Sequence, residues 1–228
     1  MKLIKRITLV ITLFFLISAG GFIIYANDYY LADDLALSIY QNDDTLIIEE
    51  EYLIVPSSQE SDIAIIFYPG AKVEYFAYLP LFKQLSECGI TSILIKMPYN
   101  FAFLNIDAAN DVIDLLPNID EWYMAGHSLG GAMASSYASE REDSIDGLIL
   151  LGSYNYGEYS DENTLIIYGT FNDSLTDKVQ NSSNVLLIEG GNHAQFGNYG
   201  KQEGDPDATI SDSLQQEMTV DAIVEFIY

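Results

Sequence analysis

Residues 121–131 read EWYMAGHSLGG, a strand-like run at 121–125 that enters the turn GHSLGG at 126–131. Gly126, Ser128 and Gly130 stand at GxSxG spacing, and small residues on either side of a serine let the chain turn sharply from a strand into a helix. Such a turn presents the Ser128 hydroxyl at its tip, so Ser128 is the candidate nucleophile. The turn also aims the first amides of the following helix at the space in front of that hydroxyl, which makes the Leu129 N–H a candidate oxyanion donor. Beyond it, Gly130, Gly131, Ala132 and Ala134 leave room for the helix to approach a sheet closely.

Outward from this turn, apolar runs at residues 63–68, 91–97, 145–151, 164–168 and 185–189 read as buried strands, without the alternation of a half-solvated sheet. Helical patterns lie between them. Leu81, Leu85 and Cys88 share one face that ends at Gly89. Ala109, Val112, Ile113 and Leu116 repeat at i, i+3, i+4 and i+7, and Leu214, Met218, Ala222 and Phe226 give a last helix face. Alternating strands and helices imply an α/β architecture with a doubly wound, mostly parallel sheet. The stretch 45–55, broken by Glu49, Glu50 and Glu51, reads as two short edge strands or a hairpin, since edges tolerate charge.

With 228 residues, about half of them apolar, the chain suffices for one core plus a short appendage. It carries 34 acidic residues against nine basic ones, and every acid lies from Asp28 onward. A body so acidic repels polyanions, which excludes nucleic acid as a natural partner and makes anionic headgroups a poor one. The sole cysteine, Cys88, excludes an internal disulfide and any cysteine-based metal site. It sits among apolar residues and reads as a small core hydrophobe.

Residues 7–26 carry no charge and, at about 1.5 Å per residue, are long enough for a bilayer core. Lys2, Lys5 and Arg6 precede the run, while Asp28, Asp33 and Asp34 follow it. The positive-inside rule then puts the N-terminus in the cytoplasm and the body outside. This reading divides the chain into an anchor at 1–27 and a domain at 28–228. The rival is a cleaved signal peptide, which would make the protein secreted. Ile24 preceding Ala26 is a poor cleavage signal and the run is long for a secretory signal, so the retained anchor is favoured.

A serine hydroxyl needs a base, and the chain has two histidines. His127 precedes Ser128 in the turn and should leave in another direction. His193, in GGNHAQFGNYG at 190–200 just beyond the last strand, faces the crevice in which open α/β sheets bind ligands. The acid that should orient it is Asp173 in GTFND at 169–173, with Asp177 as rival. The second oxyanion donor is expected from the loop after strand 63–68, on the Ala71 N–H, with Lys72 as alternate. No cofactor and no metal site is expected, the acidic loop 204–207 being too sparse for calcium.

The elbow, the order Ser128, Asp173, His193 and the glycine loop after an early strand resemble the α/β-hydrolase superfamily from about residue 62 onward. More narrowly, YPGAKVEYFAY at 68–78, IKMP at 95–98 and GGNHAQFGNYG look like a compact bacterial subgroup with an N-terminal membrane segment, distantly similar to dienelactone hydrolases. The resemblance implies an ester or related acyl hydrolase acting on a small-molecule acyl substrate. Dienelactone hydrolases use a cysteine nucleophile where this chain has serine, so their substrate does not carry over. Two other readings stand beside it: acyl transfer by the same triad, and a non-catalytic scaffold. The connection 152–163 is too short for a large lid. Tyr154, Tyr156 and Tyr159 there, with Tyr99, Phe101 and Phe103, would either wall a shallow acyl site or cover the sheet edge.

Overall fold

The computed structural model describes residues 2–228. Eight strands form one sheet: β1 (Ile47–Ile48), β2 (Tyr52–Val55), β3 (Ile63–Tyr68), β4 (Thr91–Ile95), β5 (Glu121–His127), β6 (Gly147–Leu151), β7 (Thr164–Gly169) and β8 (Asn184–Ile188). Their order is β1-β2-β4-β3-β5-β6-β7-β8. Pairing is antiparallel between β1 and β2 and between β2 and β4, and parallel everywhere else. The acidic stretch at 45–55 is thus the antiparallel margin, and the continuous apolar runs are the interior strands, buried on both faces.

Among the described residues seven α-helices accompany the sheet: α1 (Lys2–Asn27), α2 (Asp34–Asn42), α3 (Leu79–Glu87), α4 (Asn110–Ile113), α5 (Leu129–Ser139), α6 (Thr176–Val179) and α7 (Asp212–Ile227). Core residues of one sheet face, including Ile65, Phe67, Leu94 and Ile167, pack with α3 and α7. Those of the other face, including Ile66, Ile93, Met124 and Ile166, pack with α5 and the α4 and α6 regions. The sheet is doubly wound.

Three expectations need correction. The helix expected across 109–116 shortens to α4, preceded by a 3-10 turn, because Pro117 disfavours helical backbone at Leu116. β8 is a margin rather than an interior strand: Val185 and Leu187 are exposed while Ile188 is buried. On α7 the fully buried side chains are Gln215, Gln216, Thr219, Val220 and Ile223, whereas Leu214 is exposed. The helix is rotated from its apolar pattern because the two glutamines serve the loop that carries His193.

Along α1, residues 4–21 touch little of the protein and the last turn is docked. Phe22 packs on Tyr99 and Phe101 with ring centroids 6.0 and 5.8 Å apart, and Tyr25 stacks on Phe101 at 6.2 Å. The chain then pairs at once with the loop after β3, where Tyr30 N–H donates to Lys72 O (2.7 Å) and Glu74 N–H to Tyr30 O (3.0 Å).

Candidate active site

Ser128 joins β5 to α5 with φ 54° and ψ −122°, a backbone conformation that a side chain adopts only under strain of about 1–3 kcal/mol. The surroundings fix it. Its N–H donates to Leu151 O on β6 (3.0 Å) and its carbonyl accepts from Ala132 N–H (3.2 Å). A methyl group on Gly130 would collide with the carbonyls of Tyr68 and Pro69, and one on Gly126 would meet Gly130 backbone at 2.5 Å. Gly126 and Gly130 are therefore required by backbone-to-backbone packing of α5 on β3 and β5.

Two amides near this turn have no partner among the described residues. Leu129 N–H opens α5, and Ala71 N–H lies in the loop after β3. Their neighbours are occupied. Gly70 N–H donates to Tyr78 Oη (3.1 Å), and Lys72 N–H donates to Asn100 O (2.9 Å), so Lys72 is not available as the alternate donor.

His193 follows β8 on a loop held from three sides. Asp205 accepts from the N–H groups of His193 (3.2 Å) and Ala194 (2.8 Å). Gln215 bonds both backbone groups of Asn192, accepting from its N–H at 3.0 Å and donating to its carbonyl at 2.9 Å. Gln216 donates to Gln195 O and Asn198 Oδ1. The His193 ring rests against Gly152, where a Cβ would come within 2.8 Å of Nδ1. Burial lowers the His193 pKa below the ordinary imidazole value, and the Asp205 carboxylate opposes that shift.

The group at His193 Nδ1 is Asn172, with Nδ2 at 2.9 Å. Asp173, the expected orienting acid, is exposed and makes no side-chain hydrogen bond among the described residues; Asp177 on α6 is likewise exposed. The cause is local. Phe171 N–H donates to Gly191 O (3.0 Å) and Asn172 N–H to Gly169 O (2.9 Å), which closes the turn one residue earlier than the placement of the carboxylate requires. An amide serves Nδ1 in two ways. With Nδ2 facing the ring, the imidazole proton sits on Nε2; after a half-turn, Oδ1 accepts Nδ1–H and the Nε2 lone pair is free. Ser174 Oγ, 3.2 Å from Asn172 Oδ1, can donate or accept and so suits either state.

His127 points into the interior and is fully buried. Its Nε2 lies 3.0 Å from the His193 carbonyl, which only accepts, so Nε2 carries the proton and Nδ1 accepts from Tyr78 O–H at 2.8 Å. Burial, reinforced by the neighbouring His193, drives its pKa well below the usual value and keeps it neutral. The two imidazole rings lie with centroids 4.6 Å apart, tilted by 40°. No hydrogen bond joins Ser128 to His193 among the described residues; the His193 ring and carbonyl go to Asn172 and His127.

The aromatic residues divide. Tyr159 is buried with its hydroxyl on Ile145 O (2.6 Å) and Tyr156 is exposed, whereas Phe101 is covered by α1 with Tyr99 and Phe103 beside it. Among the described residues no group of three or more His, Cys, Asp or Glu is arranged to hold a metal ion.

A strained serine between β5 and α5, facing a histidine loop beyond β8 at the same end of a mostly parallel sheet, defines the general class of α/β enzymes with a nucleophile elbow. The chain belongs to the alpha/beta hydrolase family, whose sequence model matches residues 64–217. No curated protein sequence matches it. Among solved structures, Est1E from Butyrivibrio proteoclasticus is similar at 16% identity and a TM-score of 0.56, covering 80% of this chain and 97% of that one. A dienelactone hydrolase from Anabaena variabilis is similar at 14% identity and 0.53, covering 76% and 90%. MenH from S. aureus is similar at 12% identity and 0.58, covering 79% and 100%. At these identities the likeness is one of fold.

Proposed function

We propose that the protein is a carboxylesterase-like serine hydrolase that cleaves a carboxylic ester or related acyl bond through an acyl-enzyme, with short acyl groups favoured. The observation that carries this reading is the strained Ser128 turn with two unpartnered amides, Leu129 N–H and Ala71 N–H, beside it. Ser128 Oγ attacks the acyl carbon while His193 Nε2 takes its proton. The two amides receive the developing oxyanion, and His193 returns the proton to the leaving alcohol. A water molecule, deprotonated by the same imidazole, then releases the acid. Asn172, with Oδ1 toward Nδ1–H, holds the tautomer that this sequence needs. Structural neighbours that are esterases or lipases, including a carboxyl esterase from Bacillus coagulans, agree with the reaction class.

The N-terminal helix is read as a retained single-pass anchor at 1–27, with the catalytic body at 28–228 on the extracytoplasmic side. The apolar part of this helix ahead of its docked last turn is unburied by the protein, and Phe22 and Tyr25 cover Phe101, a contact that cleavage would remove.

Incubation of the full chain with a fluorophosphonate probe, followed by peptide mapping, tests the reaction. Label on Ser128 is expected. Folded wild-type protein that stays unlabelled would overturn the hydrolase reading in favour of a binding scaffold.

A further inference from the structure

The end of α1 and the rim of the candidate active site are one packed unit. Only Asp28 and Tyr29 separate the helix from Tyr30, which pairs on both sides with the Lys72–Glu74 backbone, the continuation of the loop carrying Ala71. Lys72 Nζ lies 4.1 Å from the Tyr25 ring centroid and 3.4 Å from Asp28. From Phe22 and Tyr25 the aromatic contacts run to Phe101 and on to Phe103, at 5.2 Å. A helix joined by so short a connection to Tyr30, which is hydrogen-bonded on both sides, cannot act as a loose tether. It sets the distance and the orientation of the rim relative to whatever α1 is embedded in.

On this rim large apolar side chains remain uncovered: Tyr99 is 53% exposed, Phe103 44% and Leu104 43%, next to the half-exposed Tyr25. Tyr99 holds a positive φ of 52°, so backbone strain is accepted to place its ring there. Tyrosine and phenylalanine beside the end of an apolar span suit the boundary between acyl chains and headgroups. The body is acidic, so attraction to anionic lipid does not supply the contact.

We infer that Tyr25, Tyr99, Phe103 and Leu104 form a seat that dips into the interface of the bilayer holding α1, so that the Ala71 side of the candidate active site faces the membrane surface at close range. The occupant of the seat is the zwitterionic headgroup and upper acyl layer, and the contact is apolar and insensitive to salt. The inference rests on the reading of α1 as a retained span.

The test uses the full chain with Cys88→Ser, reconstituted into phosphatidylcholine vesicles, with single cysteines carrying an environment-sensitive fluorophore. Phe103→Cys and Leu104→Cys report the seat, Phe14→Cys the span, and Glu60→Cys, exposed before β3 at the opposite end of the sheet, the water-facing side. Quenching by lipids spin-labelled near the headgroup is expected at 103 and 104, quenching by deeply labelled lipids at 14, and neither at 60. The quenching at 103 and 104 should persist when salt is raised. If 14 is quenched while 103 and 104 match 60, the seat is wrong and the span stands. If 14 is not quenched either, both fall. Labels at 103 and 104 that are shielded from water yet unquenched by lipid would also overturn the seat, since protein would be its cover.

Discussion

Tyr78 Oη donates to His127 Nδ1 across 2.8 Å in the interior, and through this bond the loop carrying Ala71 is fastened to the loop carrying His193. The chain of donors is complete: Gly70 N–H to Tyr78 Oη, Tyr78 O–H to His127 Nδ1, and His127 Nε2–H to His193 O. His127 thus acts on the candidate base through its backbone and not through the serine proton. Tyr78→Phe leaves two buried groups unpaired, which should cost about 1–3 kcal/mol of stability. The slackened loops should lower kcat about tenfold, or about 1.4 kcal/mol of transition-state stabilisation, with KM little changed. Urea denaturation and steady-state kinetics on an ester read the two effects separately. His127→Ala should lose stability yet keep fluorophosphonate labelling of Ser128.

Members of one catalytic unit are strongly non-additive. Ser128→Ala and His193→Ala should each reduce kcat by about 10⁴-fold or more, and the double variant should cost little beyond either alone. Kinetics on variants shown by circular dichroism to be folded check this, and multiplying losses would argue that the two residues do not work together.

Asn172 in place of a carboxylate has a signature in pH. Burial lowers the His193 pKa, so the neutral base persists below about 6.5 and the acid limb of kcat/KM should fall beneath that value. Asn172→Asp places a negative charge at Nδ1, which favours the imidazolium. The acid limb should move up by about one pH unit, and kcat above that limb should rise about tenfold or more as the productive tautomer is enforced. Asp173→Asn should leave activity within about twofold. The reverse pattern would restore Asp173 as the orienting acid. The neutral, buried His127 has a depressed folded-state pKa, so its stabilising contribution is present above about 6.5 and is lost as the pH falls below that value.

The short connection between β6 and β7, with Tyr159 buried within it, shelters no long acyl chain. Across p-nitrophenyl esters from acetate to palmitate, kcat/KM should fall as the chain lengthens. A maximum at long chains would overturn the short-acyl preference.

Strands and the sharp turn at Ser128 were readable because they depend on local signals: uninterrupted apolar runs, and glycines where backbone meets backbone at Gly126 and Gly130. Asn172 and not the expected Asp173 stands at His193 Nδ1, a difference that comes from weighing residue type above position. In GTFND the carboxylate is the more familiar partner for a histidine, yet the turn closed by Asn172 N–H on Gly169 O turns the amide inward. Counting from the strand end would have pointed to it. Gln215 and Gln216 were missed because their burial follows from the polar backbone of the 192–198 loop, a partner distant in sequence. The exposure of β8 depends on which strand ends the sheet, which its apolar composition does not encode.

The backbone angles of Ser128 also bear on when the protein becomes reactive. A serine at φ 54° and ψ −122° has no local reason to stay there; β3, β5, β6 and α5 must all be in place to hold it. The turn therefore exists only together with the sheet that enforces it. A chain without that sheet carries an ordinary serine and scattered amides. On the proposed reading of Ser128 as the nucleophile, reactivity belongs only to the completed body, and the unfolded chain is chemically silent toward esters.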